Sequence, residues 1–376
     1  MSVWEIVFWL CVGLLAYAQL GYPLLLAALA RLRRARPAPG EPAELPTVSL
    51  IVAAHDEGAV IAHKVGNALQ LDYPRERLRV VVASDGSADA TVLEARRAGA
   101  DDVLELPRGG KIRAQDQAVA RSEAQIVAFS DANSTWEPDA LRRLVGAFAD
   151  PQVGYACGQV SFVRDGAGSN QEGLYWRYEM ALRALESRLH SVTGGNGAIY
   201  ATRREAYIEV DPIMGHDLSF PFNMVKRGWR AVYVPQARAT EKMVPSIEGE
   251  FARKRRMMSH AWPIVFKGGL LSPRGYPPLY ALMLASHRVL RYAAPFLHLG
   301  ALVASFVLGA QSTFYAVALA LQLGLVVAAL LGRNYPWRPL LVARYYVLTT
   351  ASVAAGLWDW LRHGTPAGWD AAEGTR

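Results

Sequence analysis

Cysteine is nearly absent: Cys11 and Cys157 are the only two in 376 residues. So few, so far apart, give neither a disulfide framework nor a zinc-ligand spacing. A reducing compartment for the middle of the chain is the simpler reading. No G-x-G-x-x-G follows an apolar run, and no G-x-x-x-x-G-K-[ST] occurs. The two common glycine-loop nucleotide motifs are therefore missing. There is no internal repeat and no low-complexity tract. Aromatic and basic residues do not interleave as they do in single-strand binders, so nucleic acid is not an expected partner. The net charge of +7 is moderate, and its basic clusters lie beside hydrophobic segments. That placement suits an anionic membrane face.

The hydrophobic segments gather at the two ends. Val3 to Ala30 is almost entirely apolar and long enough to span a bilayer. Arg31, Arg33, Arg34 and Arg36 follow it, whereas a cleaved signal peptide carries its charge first. An uncleaved anchor over residues 1–36 is expected, with its N-terminus outside and a proline-rich linker, Pro37 to Pro46, leading inward. Three more spans are expected at Arg291–Gly309, Thr313–Gly332 and Leu340–Trp360, within residues 291–376. Arg288 and Arg291 mark the inner end of the first, Arg333 and Arg338 an inner turn, and Trp358 and Trp360 an interfacial anchor. Residues 263–290 read as an interfacial segment. Within it Tyr276–Ala285 is short for a span, though a fifth crossing would reverse the C-terminus. His298 and Arg344 fall inside spans and are expected to pack or to snorkel.

Between the apolar ends the pattern alternates. Thr47–Ala54, Arg79–Ala83, Gln125–Ser130 and Val153–Val163 read as strands. Val60–Leu71, Ala88–Ala98, Lys111–Ala120 and Pro138–Phe148 read as helices. This argues for an α/β domain with a mostly parallel sheet and helices on both faces. Polar residues collect where the strands end: His55-Asp56-Glu57, Ser84-Asp85-Gly86-Ser87 and Ser130-Asp131-Ala132-Asn133. In an open α/β sheet those ends face the ligand crevice. A carboxylate and an amide oxygen two residues apart can share one hard divalent cation, which usually bridges nucleotide phosphates. On these residues alone, Asp131 and Asn133 serve equally well as an Asx-turn capping the next helix. Arg108-Gly109-Gly110-Lys111 is a phosphate contact or a solvated turn. The aromatics of Gln171–Leu189 sit at helical spacing, which points to core.

These pieces in this order resemble the opening half of membrane-bound family-2 glycosyltransferases: Val48 through Glu57, Ser84-Asp85-Gly86-Ser87, Gly110-Lys111 and Phe129 through Asn133. The likeness continues through Gly194-Gly195-Asn196-Gly197, Gly215-His216-Asp217 and Arg253-Lys254-Arg255-Arg256. It covers roughly Thr47 to Trp262 and implies a GT-A (Rossmann-like) nucleotide-sugar domain, residues 46–262, set between transmembrane helices. The resemblance places the nucleotide-sugar at Ala54, His55, Glu57, Asp85, Lys111, Asp131, Ala132 and Arg256. The family's usual tyrosine is His55 here. Its metal-binding D-x-D corresponds to Asp131-Ala132-Asn133, which implies Mg²⁺ or Mn²⁺ with one carboxylate exchanged for an amide. The family's general base corresponds to Asp217, for which a helix cap is the alternative role, and His216, in place of the acidic neighbour, is an acceptor contact or a structural hydrogen-bonder. Gly195, Asn196 and Gly197 correspond to the loop where an acceptor comes close to the donor, and a plain turn is the alternative. Arg253 to Met257 stands where processive members carry Q-x-x-R-W. Glutamine and tryptophan are both lost, so the cluster is either a clamp on the leaving diphosphate or a basic stop at the membrane surface.

The expectation is a multi-pass inner-membrane enzyme with its catalytic domain in the cytoplasm. It would move a sugar, with inversion, from a nucleotide-sugar (a UDP-sugar by the resemblance) to a growing polysaccharide or a lipid-linked acceptor. Polymer export through so few spans would call for a homodimer or an export partner. Single-sugar transfer to a lipid carrier, an inactive membrane scaffold and a transporter are the rivals. The last is disfavoured by the size of the soluble part.

Overall fold

The computed structural model describes residues 1–32, 44–163, 171–242 and 246–368, with side chains in the helix Gln171–Leu189 described from Trp176 onward. Arg33, Arg34, Arg36 and most of the proline-rich linker lie outside the described residues.

One eight-stranded sheet organises the middle of the chain: β1 (Val48–Ala54), β2 (Leu78–Asp85), β3 (Asp102–Leu106), β4 (Ile126–Asp131), β5 (Thr135–Trp136), β6 (Val153–Val163), β7 (Ile199–Arg203) and β8 (Arg230–Lys242), in the order β3-β2-β1-β4-β7-β6-β8-β5. The first four neighbours run parallel, β7 is antiparallel to both β4 and β6, and β6 and β8 are parallel. A parallel central strand needs cover on both faces, and β1 is buried at every position. Its alternate residues face opposite ways. Leu50 joins a cluster with Trp136, Leu141 and Val145, while Ile51 joins one with Phe129, Ala118 and Tyr200. The sheet is more mixed than alternation alone predicts, because β7 enters between β4 and β6 against the direction of both.

Among the described residues, four helices are long and apolar enough to cross a membrane: Val3–Leu32, Pro278–Leu308, Thr313–Leu331 and Arg338–His363. Many large apolar side chains on them face outward, among them Leu10, Leu24, Phe306, Leu321 and Leu330. Tyr276–Ala285 does not stand apart from the following span. The helix starts at Pro278 and runs on through a π-turn at Ala285–Val289 to Leu308. Proline suits a first helical turn, where its missing N–H is no loss. The charges that interrupt the hydropathy there, Arg288 and Arg291, are turned onto the soluble domain, where Arg291 pairs with Glu179 and Arg288 bonds to Thr193. A second π-turn, Tyr17–Gly21, interrupts the first span, and the two meet through Tyr17 Oη and Ser286 Oγ at 2.9 Å. Within the spans, His298 bonds to Tyr346 and Arg344 pairs with Glu248.

The helix Ile247–Phe266 lies along Arg338–His363. Gly356 permits the contact, since a Cβ there would stand 2.5 Å from Met258 Cβ. Trp262 Nε1 donates to Val353 O at 3.0 Å. This packing fixes the basic run Arg253–Arg256 against the span bundle.

Candidate active site

The ends of β1, β2 and β4 are level with one another. Ala54 pairs with Ser84, and Ala53 with Asp131. The residues just past each strand therefore share one edge. His55 Nδ1 lies 2.8 Å from Asp85 O, and its Nε2 lies 3.4 Å from Asp56 Oδ2. The ring ties the β1 and β2 ends together. Glu57 is buried, and its N–H donates to Thr91 Oγ1 at 2.8 Å. The Asp85 carboxylate accepts the Gly109 N–H at 2.6 Å and the Gly110 N–H at 2.9 Å, with Arg108 at 3.6 Å. Gly110 has φ +95°, which a side chain rarely adopts. Asp85 thus holds the loop that delivers Lys111, a role that the family comparison of residues did not assign to it.

Lys111 opens the helix Lys111–Ala120, and its Nζ donates to Asp131 Oδ1. Burial works against the ammonium, but Asp131, Asp217 and Glu241 outweigh it and the pKa is raised. Asp131 is in direct contact with this cation, and Asp217 and Glu241, from distant parts of the chain, lie within its electrostatic reach. Asp131 is engaged with Lys111, and the element that follows it is β5, which pairs with β8 rather than opening a helix. The helix-capping alternative for Asp131 and Asn133 does not occur.

The donor set Asp131 and Asn133 offers hard oxygens, and the Lys111 ammonium stands as a cation on Asp131. Among the described residues no three His, Cys, Asp or Glu side chains form a cage that could hold a metal. Lys64 is buried close by: its Nζ donates to Ser134 O at 2.9 Å, and burial lowers its pKa to about 7. Glu241 on β8 is pushed up to about 7, by burial first and then by the Asp131 charge. Neither residue stands in a motif, and the sequence reading missed both.

The acceptor-side loop crosses in front of this pair. The Gly195 N–H donates to Asp217 O at 2.6 Å, and Arg183 donates to Gly195 O at 2.9 Å. A Cβ on Gly195 would fall 1.9 Å from Tyr155 Oη. On Gly197 it would stand 3.4 Å from Lys111 Nζ and 3.7 Å from Asp131 Oδ2. Glycine at 195 is thus what lets the loop lie against Tyr155, while Gly197 lies beside the Lys111–Asp131 pair with room for a methyl. Asn196 is used internally: Nδ2 donates to Gly158 O at 2.6 Å, and Oδ1 accepts the Ile199 N–H at 2.9 Å. These two bonds shape the loop.

Asp217 lies in the first turn of the helix His216–Lys226, where the helix dipole favours its charge. It is partly exposed and is not the N-cap residue, which is Gly215. His216 points the other way. It is buried, stacks on Phe220 with centroids 4.0 Å apart, and meets Tyr200 Oη through Nδ1 at 2.8 Å. Burial and then the Lys111 charge hold its pKa well below the usual histidine range. Of the two roles the sequence leaves open, the buried ring makes the structural hydrogen bond. Arg256 is exposed on the helix Ile247–Phe266. One turn on, His260 feels both Arg256 and Asp217 and anchors its Nδ1 on Ile213 O at 2.9 Å. This histidine stands in no motif, and it lies within the electrostatic reach of both the basic run and Asp217.

Behind the loop a buried network joins the soluble domain to the spans. Glu186 accepts from Tyr22 Oη at 2.7 Å and from the Thr193 N–H at 3.0 Å, and meets His287 Nδ1 at 2.6 Å. Glu179 pairs with Arg291 and lies 3.3 Å from His287 Nε2. Arg288 Nε donates to Thr193 O at 3.2 Å. Burial opposes the Glu179 charge, but Arg291 and His287 hold its pKa well below the usual range.

Residues 46–259 match the family model described as glycosyltransferase-like family 2. The chain belongs to this family. It is similar to the beta-monoglucosyldiacylglycerol synthase of Synechocystis, 32% identical over 53% of this chain and 45% of that protein. It is also similar to an N-acetylglucosaminyltransferase of Rhizobium meliloti, 29% identical over 57% of this chain and 58% of that protein. The chain thus spans about half the length of the curated relatives it matches. A mannosyltransferase from Pyrobaculum calidifontis, solved with GDP-Man and Mn²⁺, superposes with a TM-score of 0.71 at 25% identity. That match covers 96% of this chain and 99% of the other, so the GT-A fold and its flanking helices are shared together.

Proposed function

We propose that this family-2 glycosyltransferase is a membrane-embedded, inverting enzyme that transfers a sugar from a nucleoside-diphosphate sugar, UDP-linked as the resemblance implies, to a saccharide or lipid-linked acceptor. The observation that carries the reading is Lys111. Its ammonium is held on Asp131 and lies within the field of Asp217, so donor-side and acceptor-side groups meet at one point. Asp131 and Asn133 would hold Mg²⁺ or Mn²⁺, which when bound supplies positive charge against the diphosphate. Lys111 and the exposed Arg256 add charge on the protein's side. Glu57 and Asp85 border the nucleoside end, with Asp85 acting through the loop it holds.

Asp217 removes the proton of the acceptor hydroxyl. The freed oxygen bonds to the anomeric carbon while the bond from that carbon to the diphosphate oxygen breaks. The electron pair leaves with the diphosphate, and the proton stays on Asp217. Attack from the side opposite the leaving group inverts the anomeric centre. The spans set this cleft at a membrane face, with the inner membrane and a cytoplasmic domain as the arrangement the flanking arginines favour.

The test is product analysis. Full-length protein in detergent is incubated with UDP-glucose, UDP-N-acetylglucosamine, UDP-galactose or GDP-mannose, with and without Mn²⁺, in the presence of lipid extract. Sugar transfer that depends on the ion is expected, and product length separates one addition from many. Transfer from GDP-mannose alone would overturn the uridine assignment. No transfer from any donor, with donor still bound, would favour the inactive scaffold.

A further inference from the structure

The D-x-D position of this chain carries one charge fewer than a pair of aspartates, because Asn133 is neutral. A divalent cation on Asp131 and Asn133 alone would have a single carboxylate from the protein. The sheet brings a second one in from far along the chain. β5 follows the Asp131–Asn133 turn directly and pairs with β8 through Thr135↔Thr240 and Trp136↔Ala239. Glu241 is the next residue of β8, on the side from which β5 arrives out of the turn. The turn itself is closed by the Ser134 N–H on Asp131 O at 3.2 Å.

The side chain of Glu241 is disposed in an unusual way. Its Oε1 is fully buried and has no hydrogen-bond partner among the described residues. A buried carboxylate oxygen without a donor is costly and calls for an explanation. Its surroundings show what it faces. Lys64 and Lys111 each feel both Asp131 and Glu241, and Glu241 feels Asp131 in return. Glu241 stands across the β5–β8 pairing from the turn that carries Asp131 and Asn133, and two ammonium groups border that turn, Lys64 on Ser134 O and Lys111 on Asp131.

We propose that Glu241 is a third oxygen donor to the divalent cation, joining Asp131 and Asn133 across the β5–β8 pairing. The inference rests on the metal-assisted reading given above. It explains how a D-x-N turn keeps enough charge to hold Mg²⁺ or Mn²⁺, whose bound forms commonly take one or two carboxylates. It also gives the buried Oε1 a partner.

The experiment is Mn²⁺ binding to full-length protein without donor, followed by the electron paramagnetic resonance signal of free Mn²⁺. Glu241→Gln is expected to weaken Mn²⁺ by about tenfold or more. Adding Asn133→Asp to that variant is expected to restore part of the loss. Glu241→Asp, which keeps a carboxylate, serves if the glutamine variant does not fold, and a weakening smaller than that of Asp131→Asn is expected. Wild-type Mn²⁺ affinity in Glu241→Gln or Glu241→Asp, alongside a loss in Asp131→Asn, would overturn the role of Glu241 and leave the metal reading standing. Unchanged affinity in Asp131→Asn as well would sink the metal reading itself.

Discussion

The proposed donor side of the cleft is built largely from strand ends; the proposed acceptor side hangs on long-range ties. Asp85 and Asp131 close β2 and β4, and Lys111 follows the loop that Asp85 holds. Thr193 to Gly197, by contrast, have no regular structure of their own. They are fixed by Arg183, by the backbone of Asp217, and by Arg288 from a helix of membrane-spanning length. A strand end is a local property and tolerates change elsewhere. A loop held by other elements inherits every disturbance in them, including those in the spans. The acceptor half should therefore be the more easily uncoupled of the two, and each experiment below probes that difference.

The largest effect is expected from Asp217→Asn. Removing a general base typically costs about 10²- to 10⁴-fold in rate. The amide keeps the side chain's shape, and the Gly195 N–H bonds to the backbone oxygen of residue 217, not to its carboxylate. The loop should stay in place. Turnover is expected to collapse while donor affinity, read by isothermal titration, stays as in wild type. Unchanged turnover would remove Asp217 from the chemistry.

Glu179→Gln should act on the acceptor side through stability. It leaves the Arg291 charge without its buried partner, a change that costs about 3 kcal/mol in comparable pairs. Because the folded-state pKa of Glu179 lies below that of the unfolded chain, its contribution is complete above about pH 4.3 and is lost as the pH falls from there. The variant should melt earlier at neutral pH, and the gap to wild type should close in acid. A gap that widened in acid would contradict the sign. Donor binding should suffer less than acceptor transfer, since strand ends do not depend on this network.

The strand ends β1, β2 and β4 could be read from sequence because their signals are local. An apolar run that ends in acidic and small residues marks a strand, its end and a crevice in one stretch, as at Val48–Glu57 and Phe129–Asn133. Strands β3, β7 and β8 escaped for physical reasons. β3 is an edge strand with only one fully buried residue, and β7 is five residues long and joins the sheet against the direction of its neighbours. β8 carries Glu241 at a position no local pattern singles out, because the charges it feels, among them Asp131 and Lys64, lie far away in sequence. The same holds for His216. Its neighbour Asp217 faces the site, yet a helix turns successive residues about 100° apart, and His216 enters the aromatic core. Adjacency in a motif did not mean adjacency in the cleft.

Gly195→Ala tests the tie to Tyr155. The added methyl would overlap the buried Tyr155 Oη, and neither ring nor loop can yield freely. Overpacking of this kind costs about 1–3 kcal/mol. A lower melting temperature and reduced transfer are expected, with donor affinity nearly intact. Equal loss of donor affinity would mean that the two halves are one unit.

Gly197→Ala is the finest probe and carries the smallest expected effect. Its methyl would meet Lys111 Nζ and Asp131 Oδ2 at ordinary contact distances of 3.4 and 3.7 Å, so the fold has nothing to rearrange. Stability should stay within about 0.5 kcal/mol of wild type, as for most substitutions without a clash. The methyl nevertheless occupies the seam where loop and donor pair meet. If the acceptor approaches along that seam, its KM should rise, by up to about tenfold for one methyl in a close-fitting site, while the donor KM holds. A rise in donor KM with acceptor KM unchanged would move Gly197 to the donor side and shift the boundary between the two halves to Asn196.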